Sequence, residues 1–216
     1  MSSTYTLLDN LECKGLDIVG DIYNPGEWEF DTNNKDITTE RVFVNNGSQI
    51  TVYMGSGTWK LVGNPFWGDV FECGENATLY AESSTIEIDK PGGSFQFKGG
   101  GHTYHDIEIL SGTSMRIEGD SAFNDFKIEP NVDILLDGSA TVSSFNAVGA
   151  SGNPINITGG TLSKPSGFVQ CDYLMLADST ATGGAKWYAG ENSINNGGNK
   201  GWIFRKRKYQ LPARKV

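Results

Sequence analysis

Residues 106–138 read DIEILSGTSMRIEGDSAFNDFKIEPNVDILLDG, and sliding this stretch along itself decides the fold. At an offset of 19, Asp106 falls on Asp125, Ile107 on Phe126 and Ile109 on Ile128. Met115 then falls on Ile134, Ile117 on Leu136 and Gly119 on Gly138. Within each copy the apolar residues alternate with polar ones, the period of a strand with one face buried and one wet. A unit this short cannot bury its own apolar face, so it must stack on its neighbours.

The same match extends outward. One more step puts Phe145 under Phe126 and Ile155 under Leu136. Upstream, Phe97 lies 20 residues before Ile117, and Ile50 lies 20 before Val70. The reading is all-β: a parallel β-helix, or β-solenoid, with coils of about 19–21 residues between Ile50 and Ile157 and irregular N- and C-terminal extensions. A β-sandwich also has short strands and frequent turns. It does not require each residue to match its counterpart one unit away, so register favours the solenoid. Glycine at the unit corners supplies the positive φ of a sharp bend.

Three regions follow. Residues 1–41 carry nine acids and three bases, and Tyr5, Leu7, Leu8 and Leu11 suit a cap or arm. Residues 42–204 form the solenoid, with an aromatic closing segment over 173–204. Residues 205–216 are a basic tail holding six of the 17 bases and no acid. The body is left with eleven bases against 26 acids, a net charge of −15. Such a body repels nucleic acid and anionic membrane, while the tail seeks acidic partners. No apolar run approaches the ~18 residues of a membrane span. The first residues lack the charged and apolar regions of a secretory signal. Cys13, Cys73 and Cys171 are odd in number and widely spaced, which suits free thiols rather than a disulfide frame.

No nucleophile–base set, phosphate loop or dinucleotide fingerprint is present, so no catalytic residue, cofactor or metal ligand is assigned. His102 and His105 make an H-x-x-H pair without a third ligand. Asp106 with Asp125, and Glu118 with Asp137, are expected to stack one coil apart as solvated outer-face acids. An enzyme that degrades polysaccharide needs such carboxylates at a groove, and this is the third functional reading.

The closing segment places Trp187, Tyr188, Trp202, Ile203 and Phe204 among glycines and asparagines. A Gly197-Gly198 hairpin turn would pair Trp187-Tyr188 with Trp202-Ile203-Phe204. Trp187, Tyr188, Trp202 and Phe204 are then a cap on the last coil or an aromatic platform for a sugar or a subunit.

This segment, A-T-G-G-A-K-W-Y-A-G-E-N-S (residues 181–193) followed by G-G-N-K-G-W-I-F (197–204), resembles the closing segment of β-solenoid proteins found among tailed-bacteriophage structural proteins and some bacterial surface proteins. Related elements are Gly55-Ser56-Gly57-Thr58-Trp59, Phe97-Lys98-Gly99-Gly100-Gly101-His102-Thr103-Tyr104 and Gly149-Ala150-Ser151-Gly152-Asn153-Pro154-Ile155. The resemblance implies a non-enzymatic virion structural protein, a capsid decoration or a tail or fibre component. It is expected in the virion, as a homo-oligomer, with a trimer favoured, and in contact with capsid or tail subunits. Neither specific nucleic acid nor membrane is expected as a partner. The alternative is a glycan-binding adhesin module.

The tail residues Arg205, Lys206, Arg207, Lys208, Arg214 and Lys215 are the candidate partner-binding set. Exposed ion pairs contribute about 0–1 kcal/mol each and are screened over ~8–10 Å. A chain truncated before Arg205 is therefore expected to stay folded and to be under-represented in assembled particles at low salt. Equal occupancy of truncated and full chains at low salt would leave the tail as a solvated appendage.

Overall fold

The structure is a computed structural model that describes residues 3–19, 27–44, 49–62, 68–110 and 112–205. Among these residues every regular element is a β-strand. The strands pair in parallel into two nine-stranded sheets, a four-stranded sheet and a three-stranded sheet. The chain climbs as a three-sided β-solenoid, as the 19-residue repeat requires.

In the lower coils each side has its own strand. The first face stacks Ser3–Thr6, Trp28–Asp31, Ile50–Tyr53 and Thr78–Tyr80. The second stacks Leu11–Cys13, Ile37–Thr39, Thr58–Val62 and Thr85–Asp89. The third begins with Leu16–Ile18, Val42–Val44, Asp69–Cys73 and Ser94–Lys98. It continues through Ser114–Glu118, Val132–Asp137, Ile155–Thr158 and Leu174–Ala177.

In the middle coils the corner between the first two faces is absorbed into one long strand. Thr103–Ile109, Ser121–Ile128 and Ser139–Ala147 each bend across both faces. Their C-terminal halves stand on the second face, where Asp106 pairs with Thr85. Their N-terminal halves carry the first face upward, where Ser139 pairs with Thr161. Above them the corner returns. Thr161–Ser163 and Thr180–Thr182 continue the first face, while Phe168–Gln170, Lys186–Tyr188 and Trp202–Ile203 form the three-stranded sheet.

The interior is a column of like on like. Ile109 stands on Ile128 and Ile117 on Leu136, the neighbours that the repeat requires. Ile134, Ile157 and Leu176 continue another column, all buried. Aromatic rings run through the centre. Phe71 stacks on Phe97 at 4.9 Å between centroids, and Phe123, Phe126 and Phe145 follow at 5.3 and 5.4 Å. Trp187 and Trp202 end the run, 5.3 Å apart. Offset and edge-on contacts of this kind add stabilisation beyond area burial.

Corner chemistry explains the polar repeats. Side-chain amides and carboxylates replace missing ladder partners: Asn10 Oδ1 accepts from Asp36 N at 3.1 Å, and Asp36 Oδ1 from Thr58 N at 2.8 Å. Three buried aromatics reach back five residues to cap a corner carbonyl. Trp59 Nε1 donates to Met54 O, Tyr104 Oη to Gly99 O and Trp187 Nε1 to Thr182 O. Gly138, at φ +142°, passes so close to Gly119 O that a Cβ there would collide with backbone.

Four expectations are revised. The segment 1–41, read as a cap or arm, supplies strands in register with those above, so the solenoid starts at Ser3 rather than at residue 42. The 19–21-residue offset holds from Thr85 through Asp106 and Asp125 to Ser144. Below it, Leu11 to Ile37 is 26, Ile37 to Trp59 is 22 and Thr58 to Thr85 is 27. Ile50 accordingly pairs with Trp28 on the first face, whereas Val70 lies on the third. Ile155 stacks on Val132, not on Leu136, because a turn at Ala150–Asn153, closed by its own two backbone hydrogen bonds, inserts four residues. Finally, Trp187 does pair with Trp202 and Tyr188 with Ile203, but in parallel one coil apart. The Gly197-Gly198 pair turns a corner rather than a hairpin.

Lys90 pins the lower coils together. It is 1% exposed, and its Nζ donates to Glu40 O at 2.9 Å and to Val62 O at 2.6 Å, with the Phe95 ring 5.3 Å away. Burial pushes its pKa down to about 8, against the opposing pull of Glu40 and Asp89.

Two measurements check this description. Ile134 is 2% exposed and its neighbour Leu135 is 43% exposed. Ile134→Ala is expected to cost about 2–5 kcal/mol in denaturant unfolding, and Leu135→Ala about 0.5 or less. Equal costs would contradict the strand register. For Lys90, the folded chain sheds its proton above about pH 8 while the unfolded chain holds it to about 10.5. The unfolded state therefore binds more protons in that window, and stability gains with pH there. The stability of the native chain relative to Lys90→Met should rise between pH 8 and 10.5. A flat difference would mean that Lys90 is not buried as a charge.

Candidate functional site

The two sequence-derived acid pairs are stacked as expected. Asp106 pairs with Asp125 and Glu118 with Asp137 in the ladder. In each pair one carboxylate is held by a neighbour. Asp106 Oδ1 accepts from Asn124 Nδ2 at 3.0 Å and from Asp125 N at 3.1 Å. Arg116 forms an ion pair with Asp137. Further along the second face, Lys60 bridges Glu87 at 2.5 Å and Asp89 at 3.4 Å, and Lys127 bridges Glu108 and Glu129. Carboxylate contacts raise the lysine pKa values, foremost the hydrogen bonds that Lys60 donates to Glu87 and Lys127 donates to Glu108. Along the outer wall single bases bridge carboxylates of neighbouring coils, on a body that keeps its net negative charge.

The two histidines diverge. His102 Nε2 lies 2.8 Å from Gly74 O, and His105 Nδ1 lies 3.1 Å from Asp106 Oδ1. Among the described residues no group of three or more His, Cys, Asp or Glu side chains is arranged to hold a metal ion. Cys13, Cys73 and Cys171 are free thiols. Burial pushes Cys73 and Cys171 up to about 12, which leaves them as inert thiols.

The aromatic closing residues are core and lid. Trp187 is 1% exposed and Trp202 9%, so neither indole offers a face to a ligand. Tyr188 and Phe204 are half-buried at the top of the column. Arg205 is exposed, whereas Lys206, Arg207, Lys208, Arg214 and Lys215 lie outside the described residues.

Two surface features emerge only from the fold. The first is the lower end of the solenoid. Ser3–Thr6, Leu11–Cys13 and Leu16–Ile18 are the outermost strands of their sheets. Their inward side chains are not covered as their counterparts are: Leu11 and Leu16 are half-buried, while Ile37 and Val42 directly above are buried. Tyr5, Leu8 and Val19 are 58, 88 and 52% exposed. A hollow of about 290 Å³ opens here beside Tyr5, Ile18, Val19 and Trp28.

The second is a groove of about 510 Å³ on the first face. It exists because the coils shorten from 27 to 21 residues between the Thr58–Thr85 and Thr85–Asp106 steps. The lower coils project past the corner at Ala81–Ser84, and the ring of Tyr80 stands on the ledge. Thr103, Ala122 and Thr141 form the floor, one from each long strand, and Pro165 lies at the far end where the corner returns. His105, Asn124 and Ser143 edge the groove along the bend of those strands. Tyr80 is 49% exposed and stacks on Tyr53 at 4.9 Å with 7° between planes. The Tyr53 pKa is raised, first by desolvation and then by the charge of Glu29, with Asp31 and Glu82 acting the same way. A larger hollow of about 640 Å³ between Glu72 and Asp120 is lined by glycines and acids together with Cys73, Asn76 and Lys98, and by no aromatic ring.

Sequence reasoning missed both features, since one depends on which strand is last in a sheet and the other on a difference in length between successive coils. Comparison with protein-family models, with curated proteins and with solved structures finds no match to this chain.

Proposed function

We propose that this protein is a non-enzymatic structural component of a tailed-bacteriophage virion, a capsid decoration or a tail or fibre part, that assembles through the open lower end of its solenoid. The observation that carries the reading is the first coil. It presents three strand edges and the apolar side chains Tyr5, Leu8 and Val19 at the lower end of the column. An uncovered strand edge next to apolar surface is a template for association, and folded proteins cover or blunt it. The rest of the molecule suits a static part, with two buried thiols and ion pairs that tie neighbouring coils together. The virion setting rests on the resemblance of the closing segment and the Gly-rich elements, and the favoured assembly is a homotrimer docked on capsid or tail subunits. The basic residues from Arg205 onward add electrostatic attraction to acidic neighbours.

Immunogold labelling of particles purified from a lysate of the host is the direct test. Regularly placed label on the particles is expected, and particles that lack the protein altogether contradict the proposal. Leu8→Asp together with Val19→Asp adds charge to the open end without touching the core. These changes are expected to lower incorporation at least tenfold while leaving the thermal midpoint of the isolated chain within ~2–4 °C. Undiminished incorporation would move the docking surface elsewhere on the molecule.

A further inference from the structure

We infer that the groove beside Tyr80 is a binding site for a short neutral oligosaccharide, a property separate from the assembly role proposed above. Four features of the groove converge on that ligand class. Its length is three coils, which at ~4.8 Å per strand spacing is about 14 Å, the reach of a short linear glycan rather than of a single small metabolite. Its end wall is an aromatic face. Tyr80 is half-exposed although it follows three coils of inward and outward packing, and Tyr53 stacked beneath it at 4.9 Å holds the ring in place. A pre-oriented phenol ring offers an apolar surface for the C–H face of a pyranose and a hydroxyl for its polar edge.

The floor adds the complementary half. Thr103, Ala122 and Thr141 are small, so nothing protrudes between the Tyr80 ledge and Pro165. Asn124 and Ser143 are exposed on the bend and bring amide and hydroxyl groups to the groove edge at strand spacing, matched to the hydroxyl repeat of a sugar chain. Charge sets the class. Glu82 lines the groove beside Tyr80, and Asp31 lies in ladder register beneath Tyr53 and Tyr80 on the same face. A sulfated or uronic-acid glycan would meet like charge there, whereas a neutral one would not.

The site is built by the fold rather than by loose loops. Its ledge and its floor belong to paired strands and tight corners, so little ordering is needed on binding, which favours recognition of a weakly adhesive ligand such as a sugar.

The test uses the full chain on an array of immobilised neutral oligosaccharides, with sulfated and uronic-acid oligosaccharides as the charged comparison. Two exposed positions provide the variants: Tyr80→Ala removes the platform, and Thr141→Arg fills the floor. Each variant is checked for an unchanged thermal midpoint. The expected result is binding to at least one neutral oligosaccharide, weakened at least tenfold by both substitutions. The inference is overturned if no neutral oligosaccharide binds, if both variants bind as the native chain does, or if the charged oligosaccharides are preferred.

Discussion

Parallel pairing in register is the constraint on which the rest of this molecule depends. Each inward residue sits on its counterpart one coil away, so a single column position must suit every coil that passes it. Ile107, Phe126 and Phe145 share one such column, and Ile134, Ile157 and Leu176 another. The strands' backbone hydrogen bonds are satisfied between coils rather than within them. No coil is therefore stable alone, and the contacts that hold one coil also fix the next. Polar residues at the corners serve the same logic. Asn10, Asp36 and Asp106 accept amide protons where the chain bends out of the ladder.

Within that constraint, coil length is the free variable, and it shapes the surface. Long coils in the lower part have a separate strand on each face and a projecting corner at Ala81–Ser84. Shorter coils in the middle straighten that corner into the strands Thr103–Ile109, Ser121–Ile128 and Ser139–Ala147. The step between the two regimes is the groove below which Tyr80 stands. Both ends obey the same rule differently. Among the described residues the uppermost buried rings are Trp187 and Trp202, which fill the column there. The lower end finishes on Leu11 and Leu16, whose counterparts Ile37 and Val42 in the next coil are buried.

The central coils were legible from sequence because their offset is constant and their corners are short. Asp106 to Asp125 to Ser144 repeats at 19, so like residues coincide without any gap. The lower coils were not legible, since three strands and unequal corners change the offset from one coil to the next. A fixed shift set Ile50 against Val70, although the two occupy different faces. The same cause misplaced Ile155: the turn at Ala150–Asn153 is invisible to a fixed shift until its closure is seen. Lys90 gave no signal either, as nothing in its neighbourhood in sequence announces that the carbonyls of Glu40 and Val62 will meet it inside the molecule. Of the closing aromatics, Trp187 and Trp202 are buried, so neither can serve as an exposed platform. Tyr80 drew no attention because an exposed tyrosine acquires meaning only from the step in coil length beside it.

The most direct test of the account is nuclear Overhauser contact between methyl-labelled side chains at the four-residue insertion. The structure stacks Ile155 on Val132 and Ile157 on Ile134. Methyl contacts for both pairs, together with no contact between Ile155 and Leu136, are what the in-register solenoid predicts. A contact between Ile155 and Leu136, with none between Ile155 and Val132, would mean that the coils follow the uninterrupted 19-residue repeat and would contradict the register described above.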